Sequence, residues 1–361
     1  MLATLVSGFS DVSVSVIRRM SEHMKPTVNP NSPRFWLGLG LGTAAGWVVA
    51  QQLWVLWRLL RRNVQRTLAT QTNQAEPGLS LTETRETETC EISHTIWDGI
   101  ERIVYRPRNR RFETPILMQH GMWHGAWCWH LWQELLAAWG WESHAFSLPG
   151  HAGSPVQRPI ALCTLDYYLA FLKAEVDRFP QRPVLMGHSM GGALTQWYLR
   201  HVGDDLPAAV LVAPWVSHAA FRDGLFRLLR LDPLGCLMMM GYWTAAPLVR
   251  NPERAARALI SERAVYSPQE LHARLGSESA IVLYQHNPPF WSPAQHVQTP
   301  MLWLAAEQDT LIGEPAQLRS AAHYSADYVV VEKAGHNLMM EHNYRQTAEI
   351  IRDWLMEQGI D

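Results

Sequence analysis

Residues 184–192, which read VLMGHSMGG, decide the fold. The first three are apolar and predict a buried strand, and residues 190–201 predict a helix that follows at once. Between them, G-x-S-x-G places Ser189 on a turn so sharp that only the small neighbours Gly187 and Gly191 fit. Because a helix begins there, its N-terminal amides favour negative charge beside the hydroxyl. The pattern predicts a nucleophilic serine at the tip of a strand.

A serine hydroxyl needs a base to deprotonate it, and the base needs an acid to orient it. Two apolar runs further along the chain lead into Asp309 and His336, so both residues are expected in loops at strand ends. The resulting chain order is serine, acid, histidine. Glu307 and His342 are the nearest competitors, and the loop position favours Asp309 and His336. We therefore predict a catalytic triad of Ser189, Asp309 and His336.

Short apolar runs alternate with helix-length segments through most of the chain. The predicted strands are 102–105, 116–119, 143–146, 184–186, 209–212, 301–305 and 328–331, and the predicted helices are 127–139, 165–179, 190–201 and 344–357. Continuous apolar runs are typical of buried parallel strands, and the alternation predicts an α/β sheet covered by helices on both faces. Residues 216–293 lack such strands and predict a helical insertion over one end of the sheet. The folded domain is expected to span residues 90–361.

Two further motifs lie upstream of the serine, ILMQHGMWHGAWCW at residues 116–129 and LPGHAGS at residues 148–154. With the serine motif, they closely resemble the α/β-hydrolase superfamily. HGMWHGAWCW is similar to the branch of plant methylesterases and hydroxynitrile lyases, whereas GHSMGG and GHNLMME resemble bacterial esterases and monoglyceride or lysophospholipid lipases. The resemblance runs from about residue 90 to the C-terminus. It implies an α/β-hydrolase fold with a mostly parallel eight-stranded sheet and a helical cap.

The resemblance also assigns the oxyanion hole, the pair of donors that hold the negative oxygen of the reacting ester. In the family these donors are the amides of the residue after H-G and of the residue after the nucleophile, here Met122 and Met190. Backbone amides suit this role because they are fixed before the reaction begins. The same resemblance makes His120 and His124 loop-shaping residues rather than metal ligands. The expected chemistry requires no metal and no cofactor.

These residues predict a serine hydrolase that cleaves carboxylic esters through an acyl-enzyme on Ser189. A carbon–carbon bond hydrolase, a thioesterase and a cofactor-free haloperoxidase share the machinery and remain alternatives. Serine at the turn excludes the aspartate-dependent dehalogenases and epoxide hydrolases. A hydroxynitrile lyase is disfavoured because Gly121 stands where threonine is usual and no lysine lies between residues 174 and 332. A non-catalytic membrane-tethered binding protein is disfavoured because all three triad positions are filled.

The insertion suggests what kind of substrate binds. It carries apolar residues at helical spacing, followed by the flexible run LMMM at residues 237–240, which suits an acyl pocket as well as docking of the cap on the sheet. We therefore expect the substrate to be a lipophilic small-molecule ester, a class that includes lipid-derived esters. The residues expected to contact it are Trp123, His188, Phe221, Leu225 and Met239.

The N-terminal part of the chain has a different character. Residues 35–57 contain no charge over 23 positions, a length that crosses a bilayer, and are followed by four arginines within residues 58–66. They predict a single-pass transmembrane or membrane-anchor helix after an N-terminal extension at residues 1–34; a signal peptide and a buried soluble helix are the alternatives. The tightly packed arginines favour a cytoplasmic catalytic domain, joined through a basic stretch and polar linker at residues 58–89. Gly38, Gly42 and Gly46 form a small-residue face on which two copies can pair as a homodimer.

Composition excludes several other classes of protein. The 31 basic residues are balanced by 33 acidic ones among 361, so the chain lacks the basic field that binds nucleic acid. Four cysteines without a C-x-x-C pair indicate neither a thiolate zinc site nor a disulfide scaffold. We expect no nucleic-acid partner and no structural metal.

Overall fold

A computed structural model describes residues 33–71, 73, 75, 78–217 and 220–361. The chain divides into two compact units, Met1–Trp54 and Val55–Asp361. The described part of the first unit is helical, and the second unit contains the sheet and the candidate site.

A nine-stranded sheet forms the centre of the second unit, in the order β1-β2-β3-β5-β4-β6-β7-β8-β9. The strands are β1 Leu79–Glu86, β2 Cys90–Trp97, β3 Ile100–Pro107, β4 Ile116–Gln119, β5 Ser143–Phe146, β6 Val184–His188, β7 Ala209–Val212, β8 Met301–Ala306 and β9 Asp327–Val331. Strands β4 to β9 pair in parallel, whereas β1, β2 and β3 join through antiparallel pairings. Every residue of β4, β6, β7 and β8 is buried, which explains why these strands are mainly apolar.

Helices flank the sheet and form the insertion. The α-helices are α1 Pro33–Leu60, α2 Val64–Thr70, α3 His130–Trp139, α4 Leu165–Val176, α5 Met190–His201, α6 Ala220–Leu231, α7 Pro233–Tyr242, α8 Pro252–Leu259, α9 Pro268–His272, α10 Ile281–Gln285, α11 Glu314–His323 and α12 Tyr344–Glu357. Helix α3 packs against α12, and α4 packs against α5. Helices α6 to α10 all lie between β7 and β8, where the sequence predicts the insertion. We call this insertion the cap.

The sheet begins earlier than the sequence analysis predicts. Residues 58–89 were expected to be a basic stretch and polar linker, but they contain helix α2 and strand β1, and β1 pairs with β2 from Leu79 to Glu86. The sheet therefore has nine strands rather than eight. Strand β1, LSLTETRE, is an edge strand with mainly polar and exposed positions, so no apolar run reveals it.

The predicted transmembrane helix is not supported. Helix α1 spans 28 residues and contains all of residues 35–57. Across the described part of the chain, however, no helix combines the length and the apolar character that crossing a membrane requires. Pairing of two copies through Gly38, Gly42 and Gly46 stays a prediction.

Candidate active site

The turn that carries Ser189 lies between β6 and α5. Ser189 has φ 51° and ψ −113°, a left-handed conformation that is strained for any residue with a side chain. Its N–H donates to the Val212 carbonyl at 2.9 Å, which ties the turn to the neighbouring strand. A Cβ on Gly187 would lie 2.4 Å from the Gly191 carbonyl oxygen, and a Cβ on Gly191 would lie 2.2 Å from that of Gln119. The turn therefore requires glycine at both positions.

A continuous chain of hydrogen bonds joins the three predicted triad residues. The distance from Ser189 Oγ to His336 Nε2 is 2.8 Å, and the distance from His336 Nδ1 to Asp309 Oδ2 is 2.7 Å. The other carboxylate oxygen, Asp309 Oδ1, accepts from the N–H groups of Leu311 and Ile312 at 2.8 and 3.0 Å. Because a carboxylate only accepts hydrogen bonds, Nδ1 carries the imidazole proton. The lone pair of Nε2 then faces the serine hydroxyl.

The competing residues lie outside this chain of hydrogen bonds. Asp309 follows β8 and His336 follows β9, so the carboxyl ends of neighbouring parallel strands bring them beside Ser189. Glu307 is exposed, and its side chain accepts a hydrogen bond from the Lys333 N–H. His342 makes no hydrogen bond to the serine or the aspartate in the described residues.

The loop after β4 passes directly over the serine. A Cβ on Gly121 would lie 2.9 Å from Ser189 Cβ and 2.7 Å from His188 Nδ1, so this close approach requires glycine. Met122 follows in the same loop, and Met190 is the first residue of α5. Neither Met122 nor Met190 gives its backbone N–H to an acceptor within the described residues, which leaves both amides available to a substrate oxygen.

His124 links this loop to the loop that carries His336. Its Nδ1 donates to the Met122 carbonyl at 2.6 Å, and its Nε2 accepts from Asn337 Nδ2 at 3.0 Å. Burial lowers the pKa of His124 to about 4, so the ring is neutral at physiological pH. Asn337 belongs to the GHNLMME motif, but the sequence analysis assigns it no role.

His120, four residues before His124, also uses both ring nitrogens in hydrogen bonds to backbone groups. Its Nδ1 donates to the Gly121 carbonyl at 2.8 Å, and its Nε2 accepts from the Leu148 N–H at 3.1 Å. Burial lowers its pKa well below the usual value. Within the part of the chain that the structure describes, no three metal-ligating side chains come together.

An apolar cavity of about 240 Å³ opens beside Ser189 and His336. Trp123 and Met239, two of the residues expected to contact the substrate, both line it. His188 ends β6 and is buried, and its Nε2 lies 3.2 Å from the His336 carbonyl oxygen. It is not among the described residues that line the cavity, and its contact with a substrate stays a prediction. The side chains of Phe221 and Leu225 lie outside the described residues.

A second buried cluster, absent from the sequence analysis, joins the cap to the sheet. His151 Nε2 donates to Glu278 Oε2 at 3.0 Å, and the Tyr168 hydroxyl donates to Glu278 Oε1 at 2.9 Å. Burial opposes a charge on His151, but the Glu278 carboxylate and the hydrogen bonds outweigh it and raise the pKa of His151. The motif at residues 148–154 located His151, whereas Glu278 lies in the cap without a recognisable pattern.

Comparison with known proteins shows which family the chain resembles. The model of the alpha/beta hydrolase family matches residues 116–350. Norfluorocurarine synthase 1 of Strychnos nux-vomica is 32% identical over 120 residues, covering 33% of this chain and 45% of that protein. Probable esterase PIR7A of Oryza sativa subsp. indica is 30% identical over 107 residues, covering 29% and 41%. The chain thus spans less than half the length of either relative.

The fold is similar to that of a thermophilic esterase from Thermogutta terrifontis. The TM-score is 0.54 at 18% sequence identity, and the match covers 77% of this chain and 99% of that one. At this identity the likeness concerns the fold alone.

Proposed function

Because the chain belongs to the alpha/beta hydrolase family, we propose that it is a serine hydrolase that cleaves lipophilic carboxylic esters. The observation that carries the proposal is the hydrogen-bond chain from Asp309 through His336 to Ser189, with distances of 2.7 and 2.8 Å. An imidazole oriented by a carboxylate and hydrogen-bonded to a hydroxyl on a strained turn is the arrangement in which histidine acts as a general base, which supports the proposal.

In the first half of the reaction, Ser189 Oγ attacks the carbonyl carbon of the ester while His336 Nε2 takes the hydroxyl proton. The carbonyl oxygen becomes negative and accepts hydrogen bonds from the amides of Met122 and Met190. Loss of one such donor slows comparable enzymes by about 100- to 1,000-fold. When the carbon–oxygen bond breaks, His336 returns the proton to the leaving alkoxide. An alcohol departs, and the acyl group stays on Ser189.

In the second half, His336 takes a proton from a water molecule as that water attacks the acyl carbon. The tetrahedral intermediate collapses, the carboxylic acid leaves, and the proton returns to Ser189 Oγ. Asp309 accepts from Nδ1 throughout, which stabilises the imidazolium formed in each half. Its own second oxygen is held by two backbone amides, so the carboxylate keeps its orientation.

The apolar lining of the cavity supports the proposal that the acyl or alcohol part of the ester is apolar. Its walls come mainly from the cap, with Leu228, Met239 and Leu283 among the lining residues. Each methylene buried there contributes about 0.8 kcal/mol, or about four-fold in kcat/KM while the chain still fits. A small water-soluble ester leaves most of the 240 Å³ unfilled.

The proposal is tested on the full chain with a fluorophosphonate and with p-nitrophenyl esters from acetate to dodecanoate. We expect intact-mass analysis to show one added phosphonyl group, and kcat/KM to rise with chain length to a maximum. Ser189→Ala should abolish both, whereas Ser93→Ala, on β2 away from the site, should change neither. Labelling that persists in Ser189→Ala would refute the assignment of the nucleophile.

Two other outcomes would revise parts of the proposal. Equal kcat/KM for acetate and dodecanoate would refute the preference for lipophilic esters. Labelling of Ser189 without turnover of any ester would refute the ester substrate and favour the thioesterase, carbon–carbon hydrolase or haloperoxidase alternatives.

A further inference from the structure

Residues 55–70, the end of α1 together with α2, pack on the catalytic domain although they lie outside the family match at residues 116–350. We call this segment the N-terminal brace. Val55 and Leu59 are buried, and they form one apolar cluster with Ile281 of α10. Leu59 is 6% exposed, whereas the next residue, Leu60, is 63% exposed. The helix therefore presents one specific face to the cap.

A buried carboxylate fastens the brace to the same short helix. Asp166, on α4, accepts from Arg62 Nε at 2.8 Å and from Thr67 Oγ1 at 2.6 Å, both in the brace. It also accepts from Gln285 Nε2 of α10 at 2.8 Å, and Gln285 Oε1 accepts from the Leu165 N–H at 2.6 Å. Burial alone would raise the pKa of Asp166, but Arg62, Thr67 and Gln285 together lower it. The carboxylate is therefore charged and joins the brace directly to α10.

Helix α10 also forms a wall of the substrate cavity. It is five residues long, and a helix of one turn has little stability of its own. Ile281 and Gln285, one turn apart, contact the brace and Asp166, while Leu283 and Tyr284 line the cavity with Ser189. Tyr284 also packs against the cluster of Val55, Leu59 and Ile281. The brace and the bound substrate are thus expected to contact the same single helical turn.

We propose that the N-terminal brace determines which acyl chains the site accepts, because it holds α10 in place as a wall of the cavity. The inference rests on the proposed function, since it assumes that the cavity binds the apolar part of an ester. The short esters need only the triad and the oxyanion hole. Long esters also need the wall, and a displacement of about 1 Å at such a wall is enough to reduce turnover strongly.

The test compares Leu59→Ala with Leu60→Ala, and Arg62→Met with Arg62→Lys, all in the full chain. We expect Leu59→Ala and Arg62→Met to lower kcat/KM for p-nitrophenyl octanoate by about 10-fold, with the change mainly in KM. Turnover of p-nitrophenyl acetate should stay within about two-fold. Leu60→Ala should match the wild type, and Arg62→Lys should recover part of the loss because it keeps a cation beside Asp166.

Hydrogen exchange gives a readout that does not depend on activity. Arg62→Met should speed exchange of the amides of Ile281–Gln285 relative to the wild type, while exchange in β6 and β7 stays unchanged. Unchanged exchange in α10 would overturn the proposal, as would an equal loss for acetate and octanoate. Equal behaviour of Leu59→Ala and Leu60→Ala would do the same.

Failure of this inference is distinguishable from failure of the proposed function. If the wild type is not labelled by the fluorophosphonate, the serine-hydrolase assignment itself is refuted. If labelling of Ser189 is normal in every brace variant and the chain-length profile does not change, only the role of the brace is refuted.

Discussion

Replacing Asp309 by asparagine preserves the shape of the side chain but should move the imidazole proton of His336 from Nδ1 to Nε2. Asp309 Oδ1 accepts from the N–H groups of Leu311 and Ile312 at 2.8 and 3.0 Å. An asparagine must keep its oxygen at that position, because an amide NH₂ cannot accept these two bonds. Its NH₂ group then faces His336 Nδ1, 2.7 Å away in the wild type. Nδ1 must become the acceptor, so the imidazole proton moves to Nε2, which can no longer take the proton of Ser189.

The two backbone donors also set the size of the effect. Turning the asparagine into the productive orientation leaves both N–H groups unpaired, at about 1–3 kcal/mol each, or about 2–6 kcal/mol together. At about 1.4 kcal/mol per factor of ten, the productive form is then present in between about one molecule in 30 and one in 25,000. The corresponding substitution in a comparable triad lowers kcat by about 10⁴-fold. We expect Asp309→Asn to lower kcat by about 10³- to 10⁴-fold.

The assay is the turnover of p-nitrophenyl octanoate with the rate of fluorophosphonate labelling, and both rates should fall together. The melting temperature should change little, because the side chain keeps its volume and both of its backbone bonds. Glu307→Gln is the matched control: Glu307 is exposed and bonded to the Lys333 backbone, so activity should be unchanged. If Asp309→Asn keeps more than about a tenth of the activity, or Glu307→Gln loses as much, the tautomer reasoning is refuted.

Two further predictions concern the turn and the buried ion pair. Gly191→Ala should lower turnover by about 100-fold and stability by about 1–3 kcal/mol, because its Cβ would lie 2.2 Å from the Gln119 carbonyl oxygen. A Cβ on Gly241, in α7, would meet nothing within 4 Å beyond its own helix, so Gly241→Ala should leave turnover unchanged. It should not lower stability in urea unfolding, because alanine favours a helix more than glycine does. For His151, the raised pKa means that the stabilising charge is fully present below the unfolded value of about 6.5 and is lost as pH rises through the folded value. The difference in melting temperature between the wild type and His151→Gln should therefore shrink as the pH rises above about 6.5, and a difference that grows would contradict the assignment.

The α/β-hydrolase fold predicted from the sequence is confirmed, and local pattern explains why. Strands β4, β5 and β7 have the predicted bounds, and α5 and α12 begin and end where predicted. Buried parallel strands are apolar throughout, so their ends show as changes of composition. Strands β1 and β2 have no such signature, because β1 is a polar edge strand and β2 is only half buried. Their formation depends on pairing with β3, which no local pattern reveals.

The candidate site also contains parts that the sequence predicts and parts that it does not. The turn at Ser189 is predictable because it depends on glycine and serine at three positions within five residues, 187, 189 and 191. The bond between Asn337 and His124 spans 213 residues, and that between His151 and Glu278 spans 127, so neither belongs to any local motif. Both depend on where the cap and the sheet loops meet after folding.

In the proposed function, catalysis and substrate range depend on different parts of this chain. The proposed triad and oxyanion amides lie in loops at the ends of parallel strands, all within residues 116–350. The cavity depends on the cap and, in our inference, on the N-terminal brace, which precedes that region. The relative that matches over 120 residues covers 33% of this chain, so most of the chain lies outside that comparison. Variants of the brace and the cap should therefore be more informative about the proposed substrate than a comparison of motifs.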